Sequence, residues 1–149
     1  VLSTTPIGKQ EEVEAWVDAA AEESSDGRDW APYFTATQAF AYYRYGKFEE
    51  SLKAVSETDR RHALRGGANK VLYARTRLIE AMCRAKAGDM EGAAAAFTKA
   101  DEILRSPLAD PDLVLTRQHW HDWIFAKIMH DEACEVLTAA AAKLADPAE

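Results

Sequence analysis

The sequence predicts an all-α fold built from helical hairpins, and three observations carry that prediction. Only five Pro and seven Gly punctuate 149 residues, too few for the many turns of a sandwich or barrel. Long Ala-, Glu- and Leu-bearing stretches lie between those breakers, with apolar residues at helical spacing. A pattern of small and large apolar residues around a Gly also occurs twice, in register. The length suits one domain over 1–149, and 48% hydrophobic with 29% charged residues places the chain among globular proteins.

The elements follow in order. After Thr5-Pro6, residues Val13, Trp16, Val17 and Ala20 recur at the spacing of one helix face, so a flanking helix is expected over 8–24. Ser24, Ser25, Asp26 and Gly27 read as a loop. Asp29 is placed to cap a second helix over about 30–45, with Pro32 tolerated in its first turn and Gly46 at its end. A third helix is expected from Lys47 to about Thr58. From Asp59 to Lys70 the run of Arg60, Arg61, His62, Arg65 and Gly66-Gly67 breaks the periodicity and reads as an interhelix loop. A fourth helix over about 69–87 stops at Gly88, and a fifth runs from Asp89 to about Arg105, closed by Ser106-Pro107. Beyond the Asp110-Pro111-Asp112 turn, a capping helix or pair of helices occupies 112–145.

Ala39, Tyr42, Gly46, Phe48, Ser51, Val55 and Thr58 align with Ala81, Arg84, Gly88, Met90, Ala93, Phe97 and Ala100, every pair offset by 42. A small residue lets the second helix of a hairpin approach the first, Gly ends the first, and apolar residues fill the groove between them. This pattern resembles the tetratricopeptide repeat, with Ala39-x-x-Tyr42 and Ala93-x-x-x-Phe97 at its signature positions and 43–52 and 87–93 as the most family-like stretches. The resemblance covers two hairpins, about 32–65 and 74–107, and implies a right-handed solenoid whose first helices line a concave, protein-binding groove. The chain departs from the family in its longer offset, which implies an insertion around 60–70, in Ala39 and Ala81 where Gly is common, and in Pro107, two residues late. Trp120-His121-Asp122-Trp123 and the acidic stretch after it also resemble the repeat-bearing tails of bacterial eukaryotic-like Ser/Thr kinases, notably in planctomycetes; the chain itself lacks the kinase motifs. Val1 in place of Met leads to the expectation of a processed chain or a piece of a longer protein.

The formal charge is −7, spread as two basic against eight acidic groups in 1–31, thirteen against nine in 32–109, and three against eight in 110–149. An acidic chain is a poor partner for nucleic acid, whose phosphates need a basic surface. No run of apolar residues is long enough to span a membrane, and the start lacks a signal-peptide layout. Two cysteines, Cys83 and Cys134, fall within expected helices, which favours a reducing cytoplasm. No cofactor, metal or catalytic residue is expected. His119 and Asp122 share a helix face, but His130 lies about 16 Å further along, and paired Glu-x-x-His motifs are absent. No nucleophile elbow or phosphate-binding Gly-x-x-x-x-Gly-Lys occurs either.

Carried residue by residue onto this chain, the family's groove would be lined by Tyr33, Ala36, Phe40, Tyr43 and Arg44 from the second helix. The fourth would add Arg75, Leu78, Met82, Ala85 and Lys86. Aromatics beside arginines suit peptide recognition, although Phe40, Leu78 and Met82 also fit ordinary core packing. Arg60, Arg61, Arg65, Lys70, Arg75 and Arg77 occur with no acid among them, so an acidic or phosphorylated peptide is one natural partner, and a solvated basic loop is the other reading. The family's carboxylate clamp is disfavoured because Asn69 is the only Asn. On the last helix Phe125, Met129, Ala133, Val136 and Leu137 form one apolar sector; Trp120, Trp123 and Ile124 share another with Lys127, Asp131 and Glu135. The second sector reads either as a partner or homodimer interface or as a helix buried on both sides near its start.

Overall fold

The computed structural model describes residues 9–23, 31–64, 66, 69–106 and 120–145, and among these the chain forms six helices and no strand. They are α1 (Gln10–Glu23), α2 (Ala31–Arg44), α3 (Phe48–Leu64), α4 (Lys70–Lys86), α5 (Met90–Leu104) and α6 (Trp120–Ala145). The expected Thr5-Pro6 start, Ser24–Gly27 loop, Asp29 cap, Pro107 stop and Asp110–Asp112 turn, with Arg65, Gly67 and His119, lie outside the described residues. Packing groups the chain into two compact units, Val1–Ala68 and Asn69–Glu149. In the first, α2 packs on α3 and α1 on α2; in the second, α4 packs on α5 and both pack on α6.

The α2–α3 hairpin turns at Gly46, whose φ of 74° is open to residues without a Cβ. Its N–H donates to the Tyr43 carbonyl at 3.0 Å and Lys47 N–H donates to that of Tyr42 at 2.9 Å. This pair of bonds satisfies carbonyls that a helix end leaves open. Below the turn Ala39 and Ser51 are both fully buried, and the Ser51 hydroxyl donates to the Ala39 carbonyl at 2.7 Å. One turn lower the buried hydroxyls of Thr35 and Thr58 meet at 2.8 Å.

Helix α3 continues to Leu64, beyond the end expected near Thr58, so residues 59–64 are helix and not loop. The basic residues that broke the apolar pattern are themselves helix-compatible. Glu57 accepts hydrogen bonds from Arg60 Nε and Nη2, each at 2.7 Å, and from Arg61 Nε at 2.6 Å, pairs brought together by i+3 and i+4 spacing. The break comes at Gly66, with φ 78°.

In the second unit Asn69 Oδ1 accepts from Leu72 N–H at 2.9 Å, and Asp89 Oδ1 from Gly92 N–H at 2.9 Å, capping α4 and α5. Between them Gly88, at φ 85°, repeats the Gly46 turn: its N–H donates to Ala85 and that of Asp89 to Arg84, the same two bonds displaced by 42 positions. Ala81 and Ala93, the counterparts of Ala39 and Ser51, are again fully buried. Helix α4 holds four of the largest fully buried side chains, Leu72, Leu78, Ile79 and Met82.

Helix α6 is unbroken from Trp120 to Ala145. Its buried stripe is Asp122, Ala126, Met129, His130 and Ala133. Met129 and Ala133 lie where the apolar sector put them, but Phe125 is 39% exposed and Val136 and Leu137 are half-buried. The stripe turns toward Asp122 and His130 because α4 and α5 present partners for them, while Ala126 and Ala133 allow close approach. No described helix is long and apolar enough to cross a membrane.

Candidate functional site

The residues expected to line a groove fall into two patches, one in each unit. In the first unit, α2 projects Phe40, Tyr43 and Arg44 at its C-terminal end. The Phe40 and Tyr43 rings stack with centroids 6.4 Å apart, and Tyr43 meets Phe48 at 6.1 Å. The Arg44 guanidinium lies over both, 4.6 Å from the Phe40 centroid and 5.7 Å from that of Tyr43. Tyr43 is buried and Phe40 and Arg44 are half-buried, so the rings form a floor and the guanidinium a partly exposed cover. Tyr33 is half-buried on the same helix, and Ala36 is buried.

The α4 residues behave differently. Leu78 and Met82 are wholly buried, Ala85 nearly so, and none offers a surface. Arg75 Nη1 donates to Asp122 Oδ1 on α6 at 3.1 Å, and its guanidinium stands 5.0 Å from the Phe125 centroid. It ties α4 to α6. Lys86, the last residue of α4, is exposed.

Carboxylates within each unit also neutralise most of the basic segment. Arg60 and Arg61 share Glu57, whose carboxyl their hydrogen bonds hold down at about 2 against an ordinary 4.5. Arg77 and Arg84 share Glu80, and Arg84 reaches on to Asp89 at 2.7 Å. No acid lies within the basic run, but helical spacing and the facing helix supply acids from outside it.

On α6, Trp120 (46%), Ile124 (43%), Phe125 (39%) and Ile128 (38%) are exposed, while Trp123 is half-buried. Lys127 pairs with Asp131 at 3.3 Å along the same face. The expected tryptophan surface thus gains Phe125 and Ile128, which the apolar periodicity places in the covered sector or leaves out.

A polar cluster has no counterpart in the sequence reading. His130, buried in α6, places Nε2 2.9 Å from Asp101 Oδ1 on α5, while Cys134 Sγ lies 3.9 Å from its Nδ1. The i+4 spacing of His130 and Cys134 is readable in the sequence, whereas Asp101, distant along the chain, is not. Burial raises the Asp101 carboxyl, but Arg105 at 2.7 Å and His130 outweigh it and the net displacement is downward. Burial, then Asp131, pushes the Cys134 thiol up, which disfavours a nucleophilic thiolate. This arrangement joins α5 to α6 and does not resemble an activated thiol. Among the described residues no group of His, Cys, Asp or Glu is arranged to hold a metal ion.

The ends of α4 and α6 and the start of α5 enclose a cleft of about 230 Å³, with Lys86 and Lys143 beside Met90, Val136 and Ala140. Comparison with protein-family models, with curated proteins and with solved structures finds no match to this chain.

Proposed function

We propose that this chain is a non-catalytic recognition module of the tetratricopeptide type, its hairpins stacked as a right-handed solenoid, which holds a peptide or helix of a partner protein. The observation that carries the reading is the Arg44 guanidinium spread over the Phe40 and Tyr43 rings. A half-buried guanidinium beside stacked rings combines positive charge with rigid aromatic contact area, the chemistry that suits an acidic or phosphorylated peptide. The Gly46 and Gly88 turns, identical in hydrogen bonding at the repeat offset, support the hairpin architecture. A cytoplasmic setting and a place in the tail of a bacterial signalling kinase belong to the same proposal. The test is affinity capture with wild-type domain beside an Arg44→Ala variant. Arg75 is left intact because it ties α4 to α6. A partner retained by the wild type alone is the expected result; the same set on both proteins would remove this surface from recognition.

The exposed Trp120, Ile124, Phe125 and Ile128 favour a second reading, self-association through α6. Light scattering across a concentration series decides it: a mass rising toward the dimer, and abolished by Trp120→Ala/Ile124→Ala, is expected on that reading, and a constant monomer mass would exclude it.

A further inference from the structure

We propose that the cleft between the C-terminal ends of α4 and α6 and the start of α5 is a docking pocket for a short acidic peptide segment of a partner protein, which inserts one aliphatic side chain and sets carboxylates against Lys86 and Lys143. This deepens the recognition reading and rests on it, by naming a second contact and the chemistry it selects.

Size sets the first limit. At about 230 Å³ the cleft is smaller than the roughly 300–1,000 Å³ of pockets for drug-sized ligands and cofactors. It has room for one or two side chains. Its lining of Met90, Val136, Ala140 and Leu144 is apolar, and Leu144 is 63% exposed. An aliphatic anchor placed there would bury its own surface together with that of Leu144.

Charge sets the second limit. The described arginines of this unit are all committed, Arg75 to Asp122, Arg77 and Arg84 to Glu80, Arg105 to Asp101, and Lys127 pairs with Asp131. Lys86 and Lys143 flank the cleft and have no ion-pair partner among the described residues. Each stands in the last turn of its helix, whose end carries about half a negative charge. Two full positive charges exceed those two partial negative ones, so the mouth stays cationic. An acidic segment matches it, and a basic or neutral one gains nothing there.

The probe is a fluorescein-labelled peptide, Glu-Asp-Leu-Glu-Asp, titrated with the full chain at low ionic strength and read by fluorescence anisotropy. Saturable binding is expected, weakened about tenfold or more by Lys86→Ala/Lys143→Ala, by added salt, and by replacing the peptide's Leu with Ser. Both lysines are exposed, so the double variant keeps the fold. Ala140→Phe fills the cleft without touching charge and is expected to abolish binding. Equal affinity for wild type and the double lysine variant would overturn the proposal, as would an absence of saturable binding. A wild-type mass that rises with concentration and falls back in Ala140→Phe would overturn it too, since a second copy of the chain would then fill the cleft. A cellular partner captured through Arg44 while this peptide ignores the cleft leaves the recognition reading standing and removes the pocket. Peptide binding that follows the lysines supports the pocket whatever the lysate yields.

Discussion

Tyr42 on α2 donates its hydroxyl to Asp18 Oδ1 on α1 at 2.8 Å, and Gln38 Nε2 donates to the same oxygen at 2.8 Å. Burial, then the bond to Asp18, pushes the phenol up to about 12 from 10.0. A folded-state pKa above the unfolded one means a stabilising contribution that is whole below pH 10 and lost as pH rises toward 12. Ultraviolet titration of the chain's five tyrosines is therefore expected to show one late phenol, absent in Tyr42→Phe and shifted down in Asp18→Asn; an unchanged titration in both variants would sink the assignment. Glu57 works in the opposite sense. Its carboxyl, held at about 2 by Arg60 and Arg61, stabilises the fold above its ordinary 4.5 and loses that effect as pH falls toward 2. The side chain is 34% exposed, so screening reduces the effect to on the order of 1 kcal/mol. Glu57→Gln should lower the urea midpoint near neutral pH, and the gap should shrink through that acid window. A gap independent of pH would mean that the ion pairs contribute nothing.

Gly46 and Gly88 show what is readable at the scale of the element. Each ends a helix at positive φ, and the space a Cβ would occupy is empty to 4 Å, so a side chain there meets no neighbour and the whole cost of substitution is backbone conformation. Gly46→Ala and Gly88→Ala should each cost about 1–2 kcal/mol by denaturant unfolding, and Asn, which tolerates the left-handed region, should cost less at both sites. Equal losses for Ala and Asn would point to something other than backbone strain. Helix punctuation by Gly, Asn69 and Asp89 is local chemistry, which is why α4 and α5 begin and end close to where their sequence signals lie. The end of α3 departs from its sequence signal for a physical reason: Asp59–Leu64 has no apolar periodicity, yet Arg60 and Arg61 both donate to Glu57 one turn back along the helix. Charge spacing carries the helix where hydrophobic spacing stops.

Across the whole molecule, the candidate surface is legible only where function and local sequence coincide. Phe40, Tyr43 and Arg44 share one end of α2 and stand together in both the sequence pattern and the structure. Leu78 and Met82 are ambiguous in the sequence because the same spacing serves a groove or a core, and burial by α5 and α6 decides for the core. Arg75 does not line a groove because its partner, Asp122, is 47 residues away and no local pattern joins them. That pair tests how the second unit is held together. Its side chains are 16% and 10% exposed, so Arg75→Ala leaves a carboxylate buried beside α4 without its guanidinium. The loss should exceed the roughly 0–1 kcal/mol of an exposed pair. Replacing both partners by apolar residues, Arg75→Met/Asp122→Leu, removes the buried carboxylate as well and should recover much of the stability. Urea unfolding of Arg75→Met, Asp122→Leu and the double variant closes the cycle, and hydrogen exchange of α6 amides reports whether that helix loosens first. If Arg75→Ala costs no more than Glu57→Gln, the pair is a surface contact and α6 is held by Ala126, Met129 and Ala133 with the His130–Asp101 contact. If the double variant is weaker than either single, the two residues act through separate contacts, with Arg75 resting chiefly on the Phe125 ring.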